Sequence, residues 1–284
     1  MNKLLHSGFR RLWRSVAFWI SLACICLVSF LFILSNYGLK SDAYYELASS
    51  VTAAETLFPN GQLIILVLAI FMAVFVGREH GDKVINNKII MGHSRMKIYF
   101  SNLIVCGAAA LIIYLIPMVV FGACLGGILI GNFAFPPGAF VLPLICNLMA
   151  MLGFVSLYLL IIMLVANRVG AALTTFILAL MMLLVPMLLS DALTAPKYIY
   201  PLGYFSESGA YIEPEILEEN PAYLDGTPRQ ICQFFYDFLP SGQLREITFD
   251  NPPDKMKLFP VYSFFFIAAT IAGGSIFFRY KELR

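Results

Sequence analysis

Val16-Ala17-Phe18-Trp19-Ile20-Ser21-Leu22-Ala23-Cys24-Ile25-Cys26-Leu27-Val28-Ser29-Phe30-Leu31-Phe32-Ile33-Leu34 is a run of nineteen residues without a charge. A helix of that length, rising 1.5 Å per residue, crosses roughly 30 Å of hydrocarbon. The run is longer than the stretch of about 7 to 15 apolar residues in a secretory signal, and more such runs follow, so it reads as a retained span. Working outward, spans are predicted at about 16–35, 60–77, 98–130, 140–166, 169–190 and 259–278. The second is short. The third is longer than a bilayer needs and contains Pro117, which removes a backbone bond and bends a helix in a way that neighbouring helices can tolerate. The fold class predicted is all-α: a polytopic membrane protein with six transmembrane helices in a single transmembrane domain over 1–284.

Composition points the same way. Hydrophobic residues make up 60% of the chain and charged residues 13%, with a mean hydropathy of +0.81. An ordinary soluble domain carries roughly a quarter charged residues, so a water-soluble fold would lack polar groups to cover its surface. The net charge of +2 carries no message about nucleic acid, and no nucleic-acid partner is expected. The placement of the charges is informative. Thirteen of the nineteen Lys and Arg fall at Lys3, Arg10, Arg11, Arg14, Arg78 to Lys97, Arg168 and Arg279 to Arg284, all on one side of the six-span topology, whereas fourteen of the seventeen acids fall on the other. The positive-inside rule makes the basic side cytoplasmic, and an even number of spans puts both termini there.

Chemistry of its own is missing from the sequence. Catalysis at membrane depth needs ionisable or metal-binding groups inside the spans, and none stands well inside one. Five of the six cysteines lie in apolar runs, Cys232 alone in a polar one, and no Cys-x-x-Cys or Cys/His spacing predicts a metal. His-Glu-x-x-His and Gly-x-Ser-x-Gly do not occur, and the dipeptide Gly-Lys is absent, so there is no Walker A motif. No catalytic residue, metal or cofactor is expected in this chain; if ATP drives it, another polypeptide binds the nucleotide.

Two polar segments are too polar to span and too long to be turns. One is 78–97, on the cytoplasmic side. Within it Val84, Ile85, Lys88 and Ile89 share one face of a short amphipathic helix that ends near Gly92, with Lys83, Asn86, Asn87 and His93 turned mainly elsewhere. Such a helix can rest at the lipid interface or dock in a groove on a soluble partner. The other is the extracellular loop 191–258, acidic and rich in proline. Ile231, Phe234, Phe235 and Phe238 recur there at helical spacing, which predicts a short helix lying against the membrane surface. A packed cap over the helix ends explains this loop better than a ligand site does, since loops commonly serve only to connect.

Residues 78–99 resemble the membrane subunits of ATP-binding cassette (ABC) transporters of the bacterial ABC type-2 permease family. In that family an acidic residue, a basic amphipathic stretch and a small-Ser-Arg-x-x-Ile/Val-Tyr-like start of the next helix join the second and third spans. Glu79, Asn87-Lys88-Ile89-Ile90, Gly92 and Ser94-Arg95-Met96-Lys97-Ile98-Tyr99 stand at matching positions. Members often have Gly-Thr before the amphipathic stretch, where this chain has Lys83-Val84. Leu239-Pro240-Ser241-Gly242-Gln243 is similar to the Pro-x-Gly-Gln element before the family's last span, and Phe278 to Arg284 to its aromatic-basic tail.

The resemblance implies a mechanism. Two permease subunits, identical or homologous, would form the pathway through the lipid bilayer of the bacterial cell membrane. Two copies of a cytoplasmic ABC ATPase, carrying ATP and Mg, would drive it. Glu79, Lys83, Val84, Ile85, Asn87, Lys88, Ile89, Gly92 and Arg95 would form the coupling helix and its flanks, where the ATPase docks. Arg10, Arg11, Trp13 and Arg14 would belong to an amphipathic N-terminal helix anchored at the inner surface, with the aromatic rings at the interface. Phe234, Phe235, Phe238, Pro240, Gly242 and Gln243 would build the helical extracellular loop. Export of a hydrophobic or amphipathic cargo is expected, a peptide before a lipid or drug. The competing reading is a membrane scaffold or sensor that binds a ligand through the acidic loop and a soluble partner through the cytoplasmic helix.

Overall fold

The computed structural model describes residues 1–40, 61–82, 84–120, 137–165, 167–199, 204–205, 211–212, 218–248 and 254–280. Lys83, the end of the predicted third span at 121–130, much of 200–217, residues 249–253 and the tail at 281–284 lie outside them. The described chain is helical apart from two antiparallel pairs of two-residue strands, Tyr198–Ile199 with Glu218–Glu219 and Tyr204–Phe205 with Tyr211–Ile212.

The chain opens with α1 (Asn2–Trp13), whose Leu4 and Leu12 are buried while Lys3, Arg10 and Arg14 stay exposed. Gly8 lets it press on the third span: a Cβ there would come within 2.8 Å of Val105 Cγ2. After a break at Arg14 and Ser15 the uncharged run becomes α2 (Val16–Lys40). Then come α3 (Leu63–Gly81), α4 (Val84–Ile90), α5 (Arg95–Pro117), α6 (Pro137–Leu164) and α7 (Arg168–Thr194). Behind the strands stand two short helices, α8 (Gly226–Phe238) and α9 (Pro240–Thr248), and a 3₁₀ turn at Asp254–Leu258 leads into α10 (Phe259–Tyr280).

Five helices are long and apolar enough to cross a membrane, at Val16–Ser35, Arg95–Val120, Val141–Leu164, Arg168–Thr194 and Lys255–Tyr280. Leu63–Glu79 and Val84–Ile90 pass only as a pair bent by 50°, which makes six crossings if the pair counts as one span. Helical backbone thus continues through Arg78 and Glu79 to Gly81, beyond the predicted end of the second span at 77. The third span holds its helix up to Pro117 and adds a wider π turn as far as Val120.

Helix ends follow local chemistry. Ser94 accepts from the Lys97 N–H, 3.4 Å, and Asn167 from the Val169 N–H, 3.0 Å, each satisfying an orphan donor at a helix start. At the end of α4, Gly92 takes φ 86°, which only glycine adopts without penalty. The His93 N–H reaches the Lys88 carbonyl, 3.1 Å, and the Gly92 N–H the Ile89 carbonyl, 2.9 Å. This pairing is a Schellman closure.

The interior is built from α3, α5 and α6, with Phe71, Tyr99, Phe154 and Tyr158 fully buried. Small residues permit close approach where the last span crosses: Gly274 faces Tyr99, whose Oη would lie 2.3 Å from a Cβ there. Ser156 and Thr270 share a hydrogen bond of 2.7 Å between α6 and α10, and Tyr158 Oη donates to the Ile65 carbonyl at 3.1 Å, tying α6 to α3. By contrast α2, α7 and α10 turn Ile20, Leu27, Leu31, Leu173, Ile177, Met181, Leu188, Phe264 and Phe277 outward, as lipid-facing helices do.

Candidate functional site

Arg11, Arg78, Lys88, Arg95, Lys97, Arg168 and Arg279 gather at one end of the bundle, hereafter the basic end, through the alternating direction of the spans. In their midst Glu79 is 1% exposed. A buried carboxylate is costly unless it is paired and hydrogen-bonded, and this one is held from three other helices. Arg11 of α1 and Lys88 of α4 both form ion pairs with Oε1. Asn102 of α5 donates from Nδ2 to Oε2 at 2.7 Å. The guanidinium of Arg11 also sits over the Phe75 ring, 4.2 Å from its centroid, a stacking contact that favours arginine over lysine. Bringing Glu79 and Arg11 together takes the one-turn spacing of Phe75 and Glu79 on α3, which presents ring and carboxylate to the same side chain.

The bend between α3 and α4 sets what faces outward. Ile85 is 2% exposed and Ile89 packs on the core, so the apolar face of α4 is turned inward. Ile90, at 82%, and Met91, at 68%, are the large apolar side chains that α4 leaves exposed at its tip, and Asn87 is exposed beside them. Two residues expected at the docking surface are therefore placed elsewhere. Glu79 is buried in α3 and cannot touch a soluble partner. Arg95 points its Nη1 at the carbonyls of Phe278 and Arg279, 3.3 and 3.4 Å away, where a cation meets the negative end of α10.

Arg10 and Arg14 are exposed. Trp13 is half-exposed, and its ring contacts Phe18 and Trp19, with centroids 5.7 and 6.0 Å apart. Trp19 Nε1 donates to the Trp13 carbonyl, 2.9 Å, across the break between α1 and α2.

At the opposite, acidic end α8 and α9 form a tight hairpin. Phe234 and Phe238 stack with centroids 5.7 Å apart, and Phe238 meets Tyr262 and Phe266 of α10. The sequence predicts a helix lying against the membrane surface; the hairpin instead reaches in between the spans. Pro240 packs at Gly153, midway along α6, and Ser241 Oγ approaches Met182 Sδ at 3.9 Å, near the middle of α7. The turn is therefore wedged between spans, at half their length. Buried Gln243 explains how: its Nε2 donates to the Asp237 carbonyl, 2.9 Å, and its Oε1 accepts from Ser263 Oγ, 2.7 Å. Gly242 is required for the hairpin to close, since a Cβ there would be 2.0 Å from the Tyr236 carbonyl oxygen. Glu246, at the far end of α9, has its carboxyl pushed up to about 7 by burial and by the nearby Asp237, with Lys255 opposing. Burial likewise raises Asp237, while a hydrogen bond from Gln233, 2.6 Å, and the charge of Lys255 hold it down.

Sequence reasoning missed Asn102, Phe75 and Met91, and noted Ile90 only as part of the family-like motif. Asn102 leaves a trace, a lone amide in the apolar run from Ile98 to Ile116; Phe75 is apolar among apolar neighbours, and Met91 ends a short apolar run whose exposed side the sequence does not mark. Among the described residues no group of three or more His, Cys, Asp or Glu could hold a metal.

A family model described as "ABC-2 family transporter protein" matches residues 4–186, which include α1 from Leu4 onward, α2 to α6, the Glu79 cluster and most of α7. No curated protein and no solved structure matches the chain.

Proposed function

Because the chain belongs to the ABC-2 family of transporter proteins, and so is a membrane-spanning permease subunit that implies an ABC ATPase partner, we propose that it exports a hydrophobic or amphipathic cargo. A peptide is preferred to a lipid or drug. Two such subunits, identical or homologous, pair in a bacterial cell membrane with their termini in the cytoplasm, and two ATPase copies bind ATP and Mg below them. The uncharged, aromatic-rich spans support the choice of cargo, and the excess of Lys and Arg at the basic end supports the orientation.

One observation carries the reading of α4 as the coupling helix: Ile90 and Met91 stand exposed at the tip of a short helix at the basic end. Two bare apolar side chains flanked by charge are suited to a hydrophobic groove on a soluble partner. The ATPase contact accordingly falls on Asn87, Ile90 and Met91, with Ile85 and Lys88 holding the helix from behind.

A cysteine at Ile90 tests this. Bifunctional cross-linking in membranes that contain the complete transporter should trap the ATPase, and Ile90→Asp should abolish both the trap and copurification. The proposal fails if the purified chain hydrolyses ATP unaided, or if transport runs on an ion gradient with no ATPase present.

A further inference from the structure

Glu79 is the meeting point of side chains that the sequence keeps far apart. Its carboxylate binds Arg11, 68 positions away on α1, Asn102, 23 positions away on α5, and Lys88, 9 positions away on α4. The arrangement is lopsided, with two cations on Oε1 and the amide on Oε2. Arg11 depends on it heavily: its Nε and Nη2 are buried and have no acceptor among the described residues, so beyond the Phe75 ring the carboxylate is what holds the guanidinium. The Lys88 side chain is 16% exposed, with its ammonium paired to the same carboxylate oxygen.

Helix α1 already packs on α5 where Gly8 meets Val105, so the weakly held member of the group is α4. Between α3 and α4 the chain passes Gly81 and Asp82 with a 50° change of direction, and beyond α4 it passes the positive-φ Gly92. A seven-residue helix between two such joints has no stiffness of its own relative to the bundle. Ile85 and Ile89 press it against the core, but apolar contact is non-directional and permits sliding. Charge-assisted hydrogen bonds fix direction, and here one acceptor imposes it on α1, α4 and α5 together.

We infer that Glu79 is a positioning residue that clasps α1, α4 and α5 into one rigid unit, so that a push on the tip of α4 at Ile90 is delivered to α1 and α5 rather than absorbed at Gly81 and Gly92. This rests on the reading of α4 as the ATPase contact. Glu79 itself touches no partner protein. Its loss leaves the docking surface in place and disconnects it.

The test uses the full chain in nanodiscs, its native cysteines replaced by alanine, with spin labels at exposed Lys3→Cys on α1 and half-buried Asn86→Cys on α4, neither of them in the ATPase contact. With Glu79 intact the distance distribution between the labels should be narrow, and it should stay so when the ATPase and ATP are added. In Glu79→Gln it should broaden or shift by about a helical turn, roughly 5 Å, while a separate Ile90→Cys cross-link still traps the ATPase. A distribution that stays narrow in Glu79→Gln overturns the inference, and so does a wild-type distance that changes by a turn on ATP binding. If Glu79→Gln does not accumulate, Lys88→Gln and Lys88→Arg take its place. The first should broaden the distribution and the second restore it, and equal, narrow distributions for both overturn the inference. The labels are read first on the permease alone, so absence of an ATPase trap at Ile90 would count against the functional reading and leave the nucleotide-free test of the clasp standing.

Discussion

The two ends of this protein solve the same problem with different chemistry. Each must hold short helices against the bundle, α1 and α4 at the basic end, α8 and α9 at the acidic end. At the basic end the join is ionic, with Glu79 serving Arg11, Lys88 and Asn102. At the acidic end it is steric and neutral: Gly242 against the Tyr236 carbonyl, Pro240 against Gly153, and Gln243 shared between Asp237 and Ser263. A wedge with no room for a Cβ at Gly242 fits in one position. A carboxylate with several partners keeps its charge satisfied while the helices around it move together. The contrast suits a mobile basic end and a fixed acidic one.

The sharpest way to break the contrast is Gly242→Ala. No rotamer relieves a clash between Cβ and a backbone oxygen, so α8 and α9 must separate, at a cost above about 3 kcal/mol. Thermal melting of the purified chain should show a large drop, with the Phe234 and Phe238 side becoming open to protease. Next comes Glu79→Ala, which strands two cations. Removing one partner of a buried pair costs about 3 to 5 kcal/mol, and the lower figure is expected because Arg11 and Lys88 keep some contact with solvent. Here the melting temperature should fall with the α8–α9 hairpin still protected, which separates the two ends experimentally.

The smallest effect is one of pH. Glu246 has a carboxyl raised to about 7 from an ordinary 4.5, so it binds a proton more tightly in the folded than in the unfolded chain. Its contribution therefore favours folding at low pH, is lost progressively as pH rises from about 4.5 to about 7, and is constant above that. Glu246→Gln should flatten this part of the stability profile and raise the melting temperature at pH 8 relative to the parent. An unchanged slope between pH 5 and 7 would show that the acidic end is not tuned by this group.

How much of this the sequence tells depends on range. The spans could be read directly, because nineteen uncharged residues from Val16 to Leu34 admit few other fates, and α4 was foreshadowed by Val84, Ile85 and Ile89 at helical spacing. Glu79 could be singled out by its place in a family-like motif, but its burial could not: nothing local shows whether a carboxylate at a span's end faces solvent or core. That is decided by Arg11 and Asn102, distant in the chain. The depth of α8 and α9 was hidden for a related reason. The amphipathic pattern of Ile231, Phe234, Phe235 and Phe238 says that one face is apolar and is silent on whether it meets lipid or protein, and Gly242 reveals its purpose only once Tyr236 folds over it.

The order of Glu79's partners along the chain also has a meaning in time. Synthesis runs from the N-terminus, so Arg11 is already made when Glu79 leaves the ribosome, Lys88 follows nine residues later, and Asn102 arrives last, inside the next span. A carboxylate entering the bilayer's edge is costly without a counter-ion, and this one is supplied with a cation from the start. Its amide partner is available only once the third span has been made, so the set of three is complete 23 residues after the carboxylate itself.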